Sequence, residues 1–151
     1  MAMTMNGEVQ LAAQPETVWE KLNDVATLKA CIPGCESLEK TSDNEMEAVA
    51  TVKIGPVKAK FKGKVTLSDL DPPHGYKISG QGDGGVAGFA KGGATVNLTP
   101  KDGGTLLAYN VDAQIGGKLA QLGQRLVNGA AKKVADDFFA NFAAAVNPKT
   151  A

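Results

Sequence analysis

The sequence predicts an α+β domain in which a curved antiparallel sheet grips a long C-terminal helix, with two short helices beside it. Three observations carry that expectation. From Cys35 to about Ile115 apolar and polar residues alternate with period two; from Lys118 to Val146 they recur with period 3.6; and the inward strand positions include a set of alanines and glycines. At 151 residues the chain is expected to be one domain over residues 1–147, with residues 148–151 a short C-terminal tail.

The first element is a strand from Thr4 to Leu11, with Met5, Val9 and Leu11 on one face. Pro15 opens a helix at its first turn, where a missing N–H costs nothing, and Val18, Trp19 and Leu22 form its apolar stripe. A second short helix, VATLKACI, stops at Pro33-Gly34. The clearest hairpin is EMEAVATVKI and VKAKFKGKVTL around Gly55-Pro56. Val57, Ala59, Phe61, Gly63, Val65 and Leu67 share one face of its second strand, and Lys58, Lys60, Lys62 and Lys64 the other. If Ile54 faces Val57, Lys64 lies opposite Glu47 and Lys58 opposite Lys53, so the lysine side must face water.

Strands then follow at Tyr76 to Gly82, Ala90 to Leu98 and Thr105 to Ile115, separated by DPPHG, GDGG and PKDGG. Leu107, Tyr109, Val111, Ala113 and Ile115 share a face of the last. Past Gly116-Gly117 a single helical pattern runs from Lys118 to Val146, with Leu119, Leu122, Leu126, Ala130, Val134, Phe138 and Phe142 as its stripe. A sheet curled around that helix leaves a gap unless large side chains fill it. The inward set Ala48, Ala50, Ala59, Gly63, Gly80, Ala94 and Ala113 predicts an apolar cavity, the usual form of a lipophilic ligand site.

Composition narrows the function. Sixteen basic and sixteen acidic side chains balance, and no aromatic cluster sits beside a basic patch, which argues against nucleic acid. No run approaches the roughly 18 apolar residues of a membrane span, and the N-terminus has no signal-peptide pattern. With two cysteines and no secretion signal the expectation is a soluble cytoplasmic protein.

GEVQLAAQPETVWEKLND, CIPGCESLE, KIGPVKAKFKGKVTL, DLDPP, the GGT and LLAY words and GGKLAQLGQRL followed by FF and F come in order from Met5 to about Phe142. In this the chain resembles the carbon monoxide dehydrogenase CoxG family of the START-like, helix-grip superfamily that includes the birch pollen allergen. The resemblance implies a helix-grip fold and a non-catalytic accessory protein of a carbon monoxide dehydrogenase-type molybdenum hydroxylase. It also implies a hydrophobic ligand, a quinone or lipid, or a role in assembling or recruiting the enzyme at the membrane. The C-terminal anchoring extension of some members is not seen after Phe142. Membrane contact is therefore expected to be transient or through a partner, at the inner face.

The chemistry-bearing residues fit that reading. CIPGC is C-x-x-x-C broken by Pro-Gly, neither the C-x-x-C redox spacing nor half of a four-ligand zinc site, so Cys31 is read as a buried apolar group ending a helix. His74 has no visible partner in its turn, no nucleophile sits beside a base, and GDGGVAGFAKGG matches no phosphate-loop pattern. Its glycines read instead as a flexible lip to the cavity. No catalytic residue, metal or cofactor is assigned. The expected cavity walls are Leu28, Ile32, Phe61, Val65, Leu122 and Leu126, with Tyr109 orienting a head group. The ligand is expected to enter between the second short helix, the lip and the long helix. Lys58, Lys60, Lys62 and Lys64 form a candidate docking face for an acidic partner or anionic lipid. The alternatives are a docking factor whose cavity is incidental, and a hydrolase or cyclase of the same superfamily, which would need an inward acid–base pair.

Overall fold

Alternation makes strands, and in the computed structural model, which describes residues 1–147, seven of them form one antiparallel sheet. They are β1 (Ala2–Leu11), β2 (Cys35–Ser42), β3 (Glu45–Ile54), β4 (Val57–Asp71), β5 (Gly75–Asp83), β6 (Phe89–Lys101) and β7 (Gly104–Gly116). Their order is β1-β7-β6-β5-β4-β3-β2, so β2 to β7 run as a meander and β1 closes on β7. Between β1 and β2 the chain makes α1 (Pro15–Leu22) and α2 (Val25–Cys31). The β3–β4 register has Ile54 opposite Val57, Lys53 opposite Lys58 and Glu47 opposite Lys64, as the turn predicted.

The registers set the inner face in rows across the sheet. Met46, Val65, Gly80, Gly92, Ala113 and Met3 form one; Ala48, Gly63, Gly82, Ala90 and Ile115 form the next. Glycines and alanines fill the middle of both, so the concave surface is lowest at its centre. Gly92 is needed there for a second reason. A Cβ at that position would run into the Asp112 carbonyl and the Ala113 backbone, so the chains approach more closely than any side chain allows.

The C-terminal helix departs from the single run expected from Lys118. A short α3 (Lys118–Gln121) ends at Leu122, and α4 (Gln124–Val146) starts after Gly123, whose φ of 94° lies in the left-handed region. That break separates Leu119 and Leu122 from the rest of the expected stripe. Val127, Phe142 and Val146 are the fully inward residues of α4, while Leu126 and Val134 are 40% and 37% exposed. At 23 residues α4 is about 35 Å long and crosses the concave face between α2 and β1. Asn141 Nδ2 donates to the Cys31 carbonyl at 3.0 Å, and Asn147 Oδ1 accepts from the Ala12 amide at 2.9 Å. These bonds hold the C-terminal half of α4 to the segments around α1 and α2.

Two apolar clusters result. One joins α1, α2 and the C-terminal half of α4, with Leu11, Val18, Leu107 and Phe142 fully buried. The other gathers Met3, Ile115, Leu119 and Val127 beneath α3 and the start of α4.

Candidate functional site

Between the two clusters lies a cavity of about 660 Å³, within the roughly 300–1,000 Å³ of small-molecule sites. Its floor is the inner face of the sheet, including Gly82, Ala90 and Ala94, and its roof is α4 from Val127 to Phe139. Small residues on both surfaces make it: Ala130, Ala131 and Ala135 face the glycine- and alanine-rich rows. Every lining residue is Met, Leu, Ile, Val, Ala, Pro, Gly or Phe except Tyr76 and Tyr109. Among the described residues no carboxylate, amine, imidazole or thiol reaches it.

Two other depressions differ in kind. One of about 820 Å³ lies on the outer face of the sheet among Glu47, Lys62, Lys64, Asp83 and Lys91, a solvated surface of mixed charge. One of about 470 Å³ runs between β1 and α4 past Asn6, Asn128, Lys132 and Asp136.

The structure brings Leu28 and Ile32 of the α2 end, Phe61 and Val65 of β4, and Tyr109 of β7 together around the cavity. Leu122 and Leu126 stand outside its wall. Leu122 lies ahead of the Gly123 break and packs in the cluster under α3, whereas Leu126, at the far end of a stripe that drifts about 40° with every four-residue step, covers the β3–β4 turn at Gly55. Of the expected stripe, Leu119, Ala130, Val134 and Phe138 line the cavity, and Val127 and Ala131 join them. Of the small inward set, Ala48 and Ala94 line the cavity, and Ala50 and Ala59 do not.

Tyr109 stacks on Phe139, with ring centroids 5.0 Å apart and planes 20° from parallel. Its hydroxyl reaches Gly7 on β1, where any Cβ would collide with it. Tyr76, which alternation alone did not single out, is 6% exposed and sits edge-on to Trp19 at 5.3 Å. Burial pushes its phenol up to about 12, with no hydrogen bond acting on it. It therefore stays a neutral O–H group throughout the physiological range. Trp19 contacts Tyr76 and does not line the cavity.

Cys31 is the buried last residue of α2 and Cys35 the first of β2, and both are free. Burial pushes both thiols up, partly offset at Cys35 by Lys29 and the Ser37 backbone, so neither is an activated thiolate. His74 is exposed, and its backbone closes the β4–β5 turn by donating to Asp71 and accepting from Leu98. Lys58, Lys60, Lys62 and Lys64 lie exposed on the convex side, Lys60 within 3.6 Å of Glu36. The glycine-rich segment after β5 makes one 3₁₀ turn, Gly85–Ala87, closed by Gly84 N–H to the Gly88 carbonyl at 2.8 Å. No described helix is long and apolar enough to cross a membrane.

Known proteins share this architecture. The family model of CoxG, a subunit of carbon monoxide dehydrogenase, matches residues 7–147. A conserved protein from Geobacillus kaustophilus is 36% identical over 95% of both chains, with a TM-score of 0.90. Ara h 8.0201 is 14% identical, covering 97% of this chain and 98% of its own, at a TM-score of 0.69. The Zhui aromatase/cyclase from Streptomyces sp. R1128 is 13% identical over 97% of this chain and 94% of its own, at 0.71. The last two show a common helix-grip fold and nothing of function. No match is found among curated proteins.

Proposed function

The chain belongs to the CoxG family of carbon monoxide dehydrogenase, and on that premise we propose that it is a non-catalytic accessory protein that sequesters a hydrophobic molecule between sheet and helix. The ligand of this reading is a quinone or another lipid, and the partner a carbon monoxide dehydrogenase-type molybdenum hydroxylase. The observation that carries it is the apolar cavity of about 660 Å³, roofed by alanines where a filled core would have large side chains. At about 0.8 kcal/mol per buried methylene, an eight-carbon tail supplies about 6 kcal/mol before the cost of association. Ile32, Ile54 and Val134 line the cavity and are partly exposed, which favours a mouth between the α2 end, the β3–β4 hairpin and α4. The glycine-rich lip borders that end beside Phe61.

The aromatase/cyclase fold relatives raise the enzyme reading. General acid–base chemistry needs a titratable group within reach of the reacting atoms. The lining holds only the two tyrosines among the described residues, and Tyr76 ionises far above neutrality. That favours binding over turnover.

The test is organic extraction and mass spectrometry of the purified, unsupplemented protein beside a denatured blank. A stoichiometric quinone or lipid supports the carrier. An empty protein that also fails to take up added quinones overturns it. The convex lysine row favours a second reading, docking to an acidic partner. Replacing Lys58, Lys60, Lys62 and Lys64 by Gln should then weaken the complex strongly at low salt, and an unchanged affinity removes that face from consideration.

A further inference from the structure

Among the described residues, the two polar side chains of the cavity lie in one row of the sheet. Tyr76 is opposite Val96, Val96 opposite Tyr109, and Tyr109 opposite Gly7. They are used differently. Tyr109 is committed to the wall, its ring stacked on Phe139 and its hydroxyl turned to the space that Gly7 leaves at the edge strand. Tyr76 is 6% exposed and lines the cavity, and its ring is held edge-on by Trp19. Its hydroxyl has no partner among the described residues, yet it is not a sealed-off polar atom: no side-chain oxygen of those residues is both buried and unpaired. Tyr76 is itself part of the cavity lining, and we assign the surface left to that hydroxyl to the same space.

We infer that Tyr76 is the hydrogen-bonding anchor of the cavity, donating to an oxygen acceptor such as a carbonyl on a neutral ligand, and that the cavity selects neutral lipids against ionised ones. The inference rests on the ligand-carrier reading and names its ligand class. A hydroxyl donor in an apolar enclosure pairs well with a neutral acceptor, and such a bond is worth roughly a fivefold change in affinity. A carboxylate in the same place would find no cation among the described residues, since Lys132 and the lysines of β4 face solvent or the outer groove. Burying an unpaired charge is the heavier penalty, so ionised fatty acids should bind at least about tenfold more weakly than a neutral ketone of the same length.

The experiment is equilibrium dialysis at pH 8 of 2-undecanone, undecane and undecanoate against the native chain and Tyr76→Phe, with thermal unfolding of both ligand-free proteins. The expected result is that the native chain prefers the ketone and rejects undecanoate, while Tyr76→Phe loses roughly fivefold for the ketone and nothing for the alkane. The ligand-free Tyr76→Phe chain should unfold no earlier than the native one, because the hydroxyl has no partner to lose. Undecanoate binding as tightly as the ketone, equal losses for ketone and alkane, or a marked fall in unfolding temperature each overturns the anchor while leaving a carrier. Failure of all three compounds to bind overturns the carrier reading and this inference with it.

Discussion

The two ends of α4 solve opposite problems with the same sheet beneath them. At the C-terminal end Phe138, Phe139 and Phe142 stack and cross with centroids 5.0 to 5.7 Å apart, and Trp19 and Tyr76 fill the space under α1. At the N-terminal end Ala130 and Ala131 face Ala90 and Gly82, and the helix stands off the sheet. A long helix across a concave sheet can be gripped firmly at one end and left open at the other. Phe142 and Trp19 pack behind the gripped end, while Phe138, Phe139, Tyr76 and Tyr109 form one wall of the ligand space and the alanines leave it open on the other.

Phe142→Ala should disturb the gripped end most. Phe142 is fully buried, and its loss is expected to cost about 3–5 kcal/mol, read by urea or thermal unfolding. An effect below about 1 kcal/mol would show that the aromatic end is not the anchor.

Alkali separates the ends next. Tyr76 has its pKa raised from 10.0 to about 12, so the unfolded chain loses the proton first as pH rises. The folded state then binds more protons, and stability falls with pH between about 10 and 12 by about 2–3 kcal/mol from this group. Tyr76→Phe should flatten that part of the profile relative to the native chain, measured as unfolding free energy at pH 9 and pH 12.

Filling the open end should work in the other direction. Ala94→Leu adds three carbons to the cavity floor and is expected to raise stability by about 1–2 kcal/mol while reducing uptake of a long-chain ligand. A rise in stability with unchanged uptake would make the cavity incidental. The smallest effect tests the phase of α4. Leu126→Ala should stay within about 0.5 kcal/mol, and Val127→Ala should cost about 1–2 kcal/mol. The reverse order would put Leu126 rather than Val127 on the inner side of α4.

Much of this was legible residue by residue. Alternation placed Phe61, Val65 and Tyr109 inward, Leu28 and Ile32 were expected at the wall from the second short helix, and the Gly55-Pro56 turn set a register that put four lysines on the water side. Leu122 and Leu126 lie outside the wall because a left-handed Gly123 interrupts the helix just after Leu122, and because four-residue steps drift by about 40° each, which leaves Leu126 about 160° round α4 from Phe142. Tyr76 shares the inward period of Ile78 and Gly80, so a signal existed. Nothing in its own strand shows that Trp19, far away in sequence, would enclose it.

Local pattern was enough to specify the helix-grip architecture, the hairpin register, the apolar character of the inner face and the shortage of large residues there. Each follows from local steric preference or from a period of two or 3.6 residues, which neighbouring positions carry without help. Three features arose only on folding: the placing of Leu126 over the β3–β4 turn, the turn of Tyr109 toward the edge strand, and the unpartnered hydroxyl of Tyr76 beside an apolar cavity. They depend on contacts between distant segments, where the space left by one chain, at Gly7 or Gly92, fixes where another can go.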